Sequence, residues 1–95
     1  MNWFSQITRL ILDFYREDPV ELRQLQGLKA CRLSRRWGVL RIECRDRQVA
    51  ETLLAAQDLL KEPIAELRIA HQINILVNGV LISSLVVDPS KLTFS

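Results

Sequence analysis

Apolar residues recur at every third or fourth position near the start of the chain. Trp3, Ile7, Ile11 and Phe14, with Phe4, Leu10 and Tyr15 beside them, predict an amphipathic helix over about 3–16. Asp18, Pro19 and Glu21 follow as an N-cap, a first-turn proline and a capping-box glutamate, so a short second helix is expected over about 19–26, with Gly27 placed to end it. From Leu28 the period drops to two. Cys31 and Leu33 alternate with Arg32 and Ser34, and after Trp37 and Gly38 the residues Leu40, Ile42 and Cys44 alternate with Arg41, Glu43 and Arg45. This predicts strands over about 28–34 and 39–45, joined by a tight turn at Arg35, Arg36, Trp37 and Gly38.

Asp46 is a further N-cap candidate, and Val49, Ala50, Leu53, Leu54, Gln57 and Leu60 form a stripe at helical spacing. The resulting helix, about 46–61, is expected to stop before Pro63, because proline disfavours helical backbone in the residue preceding it. Alternation of Leu67 and Ile69 with Glu66 and Arg68 predicts a strand over about 65–70, and another is expected over 73–77. Asn78-Gly79 suits a type I′ hairpin turn into the apolar run 80–87, pairing Val77 with Val80, Leu76 with Leu81 and Ile75 with Ile82. Asp88, Pro89 and Ser90 end regular structure, leaving a tail from about 89 with Leu92 and Phe94 to pack.

These elements amount to a single α+β domain over 1–95. Two main helices would pack on one face of a largely antiparallel sheet of four to five strands, in two layers. Ninety-five residues, 48% hydrophobic and 25% charged, are enough for one core and too few for two. There is no run of about 18 apolar residues and no secretory-signal pattern, so a cytoplasmic location without membrane attachment is the expectation. Cys31 and Cys44 lack zinc-ligand spacing and are expected as reduced core thiols, with a disulfide open to them if their strands pair. His71 has no nucleophile or metal-ligand cluster near it in sequence and reads as a polar turn residue. With glycines only at 27, 38 and 79 there is no phosphate-binding loop. No catalytic residue, metal, cofactor or small-molecule substrate is expected, and the chain reads as a non-enzymatic protein.

Charge changes that picture in one place. The formal net charge is only +2, yet Lys29, Arg32, Arg35, Arg36, Arg41, Arg45 and Arg47 face only Glu43 and Asp46 between positions 29 and 47, a local charge of +5. Arg32 and Arg41 are expected on one solvent-facing side of the hairpin, with Arg35, Arg36 and Trp37 at its tip. Arginines flanking an aromatic ring can grip phosphates while the ring stacks on a base; they also serve to solvate a strand or to meet an acidic protein. The first functional reading is therefore an interaction module that uses Arg32, Arg35, Arg36, Trp37, Arg41 and Arg45 on nucleic acid or an acidic protein surface. The alternative is a structural or assembly protein acting through Val80, Leu81, Leu85 and Val87, since both faces of the second hairpin are apolar, as a homodimer or complex subunit.

The stretch from Gly38 to Ile69 carries Val39, Leu40, Arg41 and Ile42, then Ala50, Leu53, Leu54, Leu59 and Leu60, then Leu67, Arg68 and Ile69. This strand, helix, strand order resembles small KH-like domains, in particular the N-terminal domain of a bacterial family of replicative-helicase loaders. The resemblance covers about a third of the chain and implies an adaptor-like domain contacting nucleic acid or a replication protein. The Gly-X-X-Gly loop with which KH domains clamp RNA has no counterpart here.

Overall fold

The computed structural model describes residues 3–87, with side chains from residue 6 onward. The side chains of Trp3 and Phe4 and the C-terminal tail with Leu92 and Phe94 lie outside the described residues. Helix α1 covers Trp3–Phe14 and α2 covers Pro19–Gln24; a 3-10 turn follows at Gln26–Ala30. Strands β1 (Arg32–Arg36) and β2 (Val39–Cys44) precede helices α3 (Arg47–Ala55) and α4 (Gln57–Glu66), and strands β3 (Gln72–Val77) and β4 (Val80–Val86) close the order. The architecture is α+β, with four strands in one open sheet in the order β1-β2-β3-β4.

The sheet is mixed. Both hairpins are antiparallel, but β2 and β3 run parallel, with Val39 opposite Gln72 and Cys44 opposite Val77. A long connection holding two helices returns the chain to the starting edge of β2, and a strand entered from there runs parallel to it. This corrects the largely antiparallel expectation.

Alternation along the strands sends Leu33, Leu40, Ile42, Cys44, Ile73, Ile75 and Leu85 into one core with Ile7, Ile11 and Tyr15 of the first helical segment, Leu25 and Leu28 of the connector, and Leu53, Leu60 and Ile64 of α3 and α4. The buried face of α1 is Ile7 and Ile11, continued by Tyr15. Leu10 and Phe14, expected on or beside that face, are exposed.

The predicted helix over 46–61 is two helices. Asp46 caps α3, its carboxylate accepting from the Val49 backbone N at 2.9 Å. Ala56 then leaves helical geometry with φ −108° and ψ 28°, and α4 restarts at Gln57. The break is satisfied locally, because the Gln57 side-chain amide donates to the carbonyl of Leu54 at 3.2 Å. Nor does Pro63 end α4; it sits inside it. A helical proline leaves the carbonyl four residues earlier without its donor. That carbonyl belongs to Leu59, and the Tyr15 hydroxyl donates to it at 2.8 Å. The same hydroxyl lies 3.3 Å from Glu62 Oε2. Tyr15 thus ties the end of α1 to the proline site of α4.

No strand forms at 65–70. Leu67 caps α4, Arg68 takes φ +54°, and the backbone N of Arg68 and of Ile69 donate to Ala65 O and Ile64 O. This is the Schellman arrangement, with buried Ile69 against buried Ile64. Two apolar residues two apart thus serve a helix end. Two expectations nearer the N-terminus are also corrected: α2 stops at Gln24, and Gly27 lies within a 3-10 turn that takes the first three residues of the strand expected over 28–34, so that β1 runs later and includes Arg35 and Arg36, which were expected in the turn.

Replacing Tyr15 with phenylalanine should cost about 1–3 kcal/mol, because a poorly solvated carbonyl loses its donor. Burial, and then the charge and hydrogen bond of Glu62, push the Tyr15 phenol well above its ordinary value of 10.0. The folded state therefore holds this proton more tightly than the unfolded chain. Its contribution is complete below pH 10.0 and is lost as pH climbs from there through the raised folded value. Urea titrations across alkaline pH should show Y15F less stable than the parent at neutral pH, with the gap narrowing above pH 10.0; a constant gap would contradict this account.

Candidate nucleic-acid interface

Helices cover one face of the sheet, and the other is the surface on which the basic residues of β1 and β2 collect. Because Leu33, Leu40 and Ile42 turn inward, their strand neighbours Arg32, Ser34, Arg36, Val39, Arg41 and Glu43 turn to the helix-free side. The register sets Arg36 beside Val39, Ser34 beside Arg41, and Arg32 beside Glu43. Arg32 and Arg41 share a face, as expected.

Arg35 does not join them. It has the parity of Leu33, so it belongs to the opposite side of β1, though it is exposed and partnered within the protein. Arg45 is exposed just beyond the end of β2, seven residues from Gly38 and hence about 20 Å along the strand from the Trp37 tip. It lines a cavity of about 500 Å³ with Lys29, Cys31, Arg32, Glu43, Cys44 and Asn78. The basic residues thus form a strip along the hairpin, with Trp37 at one end and Arg45 at the other.

The tip is a two-residue turn with Trp37 at φ +56° and Gly38 at φ +75°. Such a turn wants positive φ at both centres, which glycine gives freely and a bulky residue resists. Gly38 is held closely: a Cβ there would stand 2.5 Å from His71 Cδ2, and its carbonyl accepts from the His71 backbone N at 2.9 Å. Trp37 has no such constraint and projects into solvent, 85% exposed.

Sequence reasoning missed a polar row that continues the face onto β3 and β4. Gln72 Nε2 donates to Asn74 Oδ1 at 3.0 Å and to Ser84 Oγ at 2.8 Å, and Ser84 Oγ donates to Asn74 Oδ1 at 2.9 Å. Asn74 lies opposite Arg41 and Ser84 opposite Asn74, so Ser34, Arg41, Asn74 and Ser84 cross all four strands in one line. The alternation of Gln72 and Asn74 with Ile73 and Ile75 was the available signal. What it lacked was the parallel pairing that sets this strand beside β2. Among the described residues, Glu43 is the acidic side chain of this face. It accepts from the Gly79 backbone N and lies 3.9 Å from Arg41 Nη2, so it is engaged rather than facing a ligand.

The alternative site separates into two parts. Leu85 and Val87 are 7% and 2% exposed, in the core of this same chain, and so are corrected as interface residues. Val80 and Leu81 are exposed on β4, an edge strand, as is Val86. Val77 and Val80 pair, as do Leu76 and Leu81, but Ile75 faces Ser83 because a bulge takes up Ile82.

No helix among the described residues is long and apolar enough to cross a membrane. The fold and this face define a small α+β domain with one helix-free, arginine-bearing sheet surface. Comparison with known protein families, curated proteins and solved structures gives no significant match to this chain.

Proposed function

We propose that this chain is a non-enzymatic module that binds nucleic acid along the β1–β2 hairpin. Arg32, Arg36, Arg41 and Arg45 would hold phosphates and Trp37 would stack on a base. The observation that carries the reading is Trp37 itself. An exposed tryptophan forgoes the large area such a ring can bury, and its positive φ adds local strain. The other hairpin of the same sheet makes its turn with Asn78-Gly79, which suits that backbone better. Neither turn geometry nor packing explains tryptophan at position 37. Stacking on a partner does, and the arginines beside it supply the charge.

Fluorescence-anisotropy titration against labelled single-stranded and duplex oligonucleotides tests this. Neutralising about four phosphates should give a log-log salt slope near −3 to −4. Affinity that does not change with salt would reject the proposal, and an acidic protein surface would replace nucleic acid as the partner to test.

A second reading is supported by β4. An edge strand leaves backbone donors and acceptors open to another chain, and Leu81 and Val86 are 53% and 69% exposed along it. Two copies pairing β4 to β4 would make a two-fold assembly. Sedimentation should then show dimers at high micromolar concentration that L81D reduces to monomers; a monomeric parent chain would remove this reading.

A further inference from the structure

The cavity at the far end of the hairpin from Trp37 holds a feature that nucleic-acid binding does not use. We infer that Cys31 and Cys44 are a hydroperoxide-oxidisable pair that closes to an intramolecular disulfide across the first hairpin, independently of whether the basic strip binds nucleic acid.

Carrying the β1–β2 register one step past Arg32 and Glu43 sets Cys31 directly opposite Cys44. Their Sγ atoms are 3.5 Å apart, and both thiols are free. The Cys31 backbone N donates to Leu28 O, and Cys44 O accepts from Asn78 N. The two residues therefore do not bond to each other through the backbone and form the narrow kind of antiparallel pair. In such pairs the Cα atoms approach to about 4.5 Å, inside the span a disulfide bridges. Closing the remaining gap asks for side-chain rotation rather than strand movement. Both cysteines are among the residues that line the cavity of about 500 Å³, which is large enough to admit a small peroxide.

The chemistry balances with a hydroperoxide as oxidant. The Cys31 thiolate attacks the peroxide oxygen, an S–O bond forms, the O–O bond breaks, and the departing alkoxide or hydroxide takes up a proton. Cys44 sulfur then attacks Cys31 sulfur; the S–S bond forms, the S–O bond breaks, and hydroxide leaves as water with the Cys44 proton. Sulfur loses two electrons and the peroxide gains them. Cys31 is the half-buried partner and so the one placed to meet the oxidant; Cys44 is buried and placed to resolve.

Lys29 from the 3-10 turn, Arg32 from β1, and Glu43, Arg45 and Asp46 from β2 and the residues after it are the charged groups around the pair. Burial, then the hydrogen bond with Cys44, pushes the Cys31 thiol up to about 12, and burial also raises Cys44. Thiolate is scarce at neutral pH, so oxidation should quicken by about tenfold per pH unit below that value.

The test treats the full chain with hydrogen peroxide at mildly alkaline pH, followed by intact mass and thiol titration without reductant. Expected are a mass lower by two hydrogens, loss of both thiols, a monomeric chain, a raised Tm, and full reversal by dithiothreitol. C44S should instead gain oxygen at Cys31 or form intermolecular dimers. Oxygen addition without cross-linking in the parent chain would overturn the proposal. So would thiols that survive an exposure sufficient to oxidise the same chain unfolded in urea.

Discussion

Replacing Arg32, Arg35, Arg36 and Arg41 together with glutamine is expected to weaken oligonucleotide binding by roughly 100-fold or more at low salt and to flatten the salt slope towards about −1. Each lost phosphate contact removes nearly one unit of that slope, because the counterion it displaced is no longer released. Glutamine keeps most of the side-chain length and a hydrogen-bonding end, so the change is chiefly one of charge. All four side chains are on exposed residues, and the fold should persist with a nearly unchanged Tm. The sheet geometry makes the single variants unequal. R41Q and R36Q remove cations from the helix-free face and should each be felt, whereas R35Q acts on the opposite side of β1 and should matter least. W37A should cost about 1–3 kcal/mol of binding without altering the slope, since stacking releases no counterions. Equal loss from R35Q and R41Q would show that the bound surface is not this face.

Leu53→Ala should destabilise the protein by about 2–5 kcal/mol. Leu53 is fully buried on α3, the helix that packs across β2, β3 and the 3-10 turn, and its loss leaves a cavity at the centre of the helix layer. For a domain of this size that lowers Tm by roughly 10 °C or more, a large part of ordinary stability. Leu54, one position on and only partly buried, should cost less when truncated. Thermal melts of the two variants side by side would check the orientation of α3, and an unchanged Tm for L53A would refute it.

Several elements were legible because one local rule decided each. Alternation placed β2 and the Asn78-Gly79 turn placed β3 and β4, each within a residue or two, and Asp46 marked the start of α3. Positive φ at Asn78 and Gly79 is what that dipeptide prefers. The common face of Arg32 and Arg41 follows from alternation once Leu33 and Ile42 are known to turn inward. Errors arose where a distant group removed a local penalty. Proline inside α4 is tolerated because Tyr15, far away in sequence, supplies the donor that the Leu59 carbonyl lost. Leu67 and Ile69 alternate like a strand, yet Ile69 closes a helix end against Ile64, with Arg68 where glycine is usual.

The division between the two levels follows from the range of the forces. By itself the sequence determined the α+β class, the Asn78-Gly79 turn, which residues of β2 point inward, and the concentration of positive charge on one hairpin. All of these depend on neighbours within a few residues. Only the tertiary structure decided that β2 and β3 run parallel and that α3 and α4 are separate helices. It also decided that Leu85 and Val87 belong to the core while Val80, Leu81 and Val86 remain outside. The same packing brought Gln72, Asn74 and Ser84 into line with Arg41 and set Cys31 beside Cys44. These depend on which strand lies next to which, and that is settled by burying one shared core rather than by any local preference.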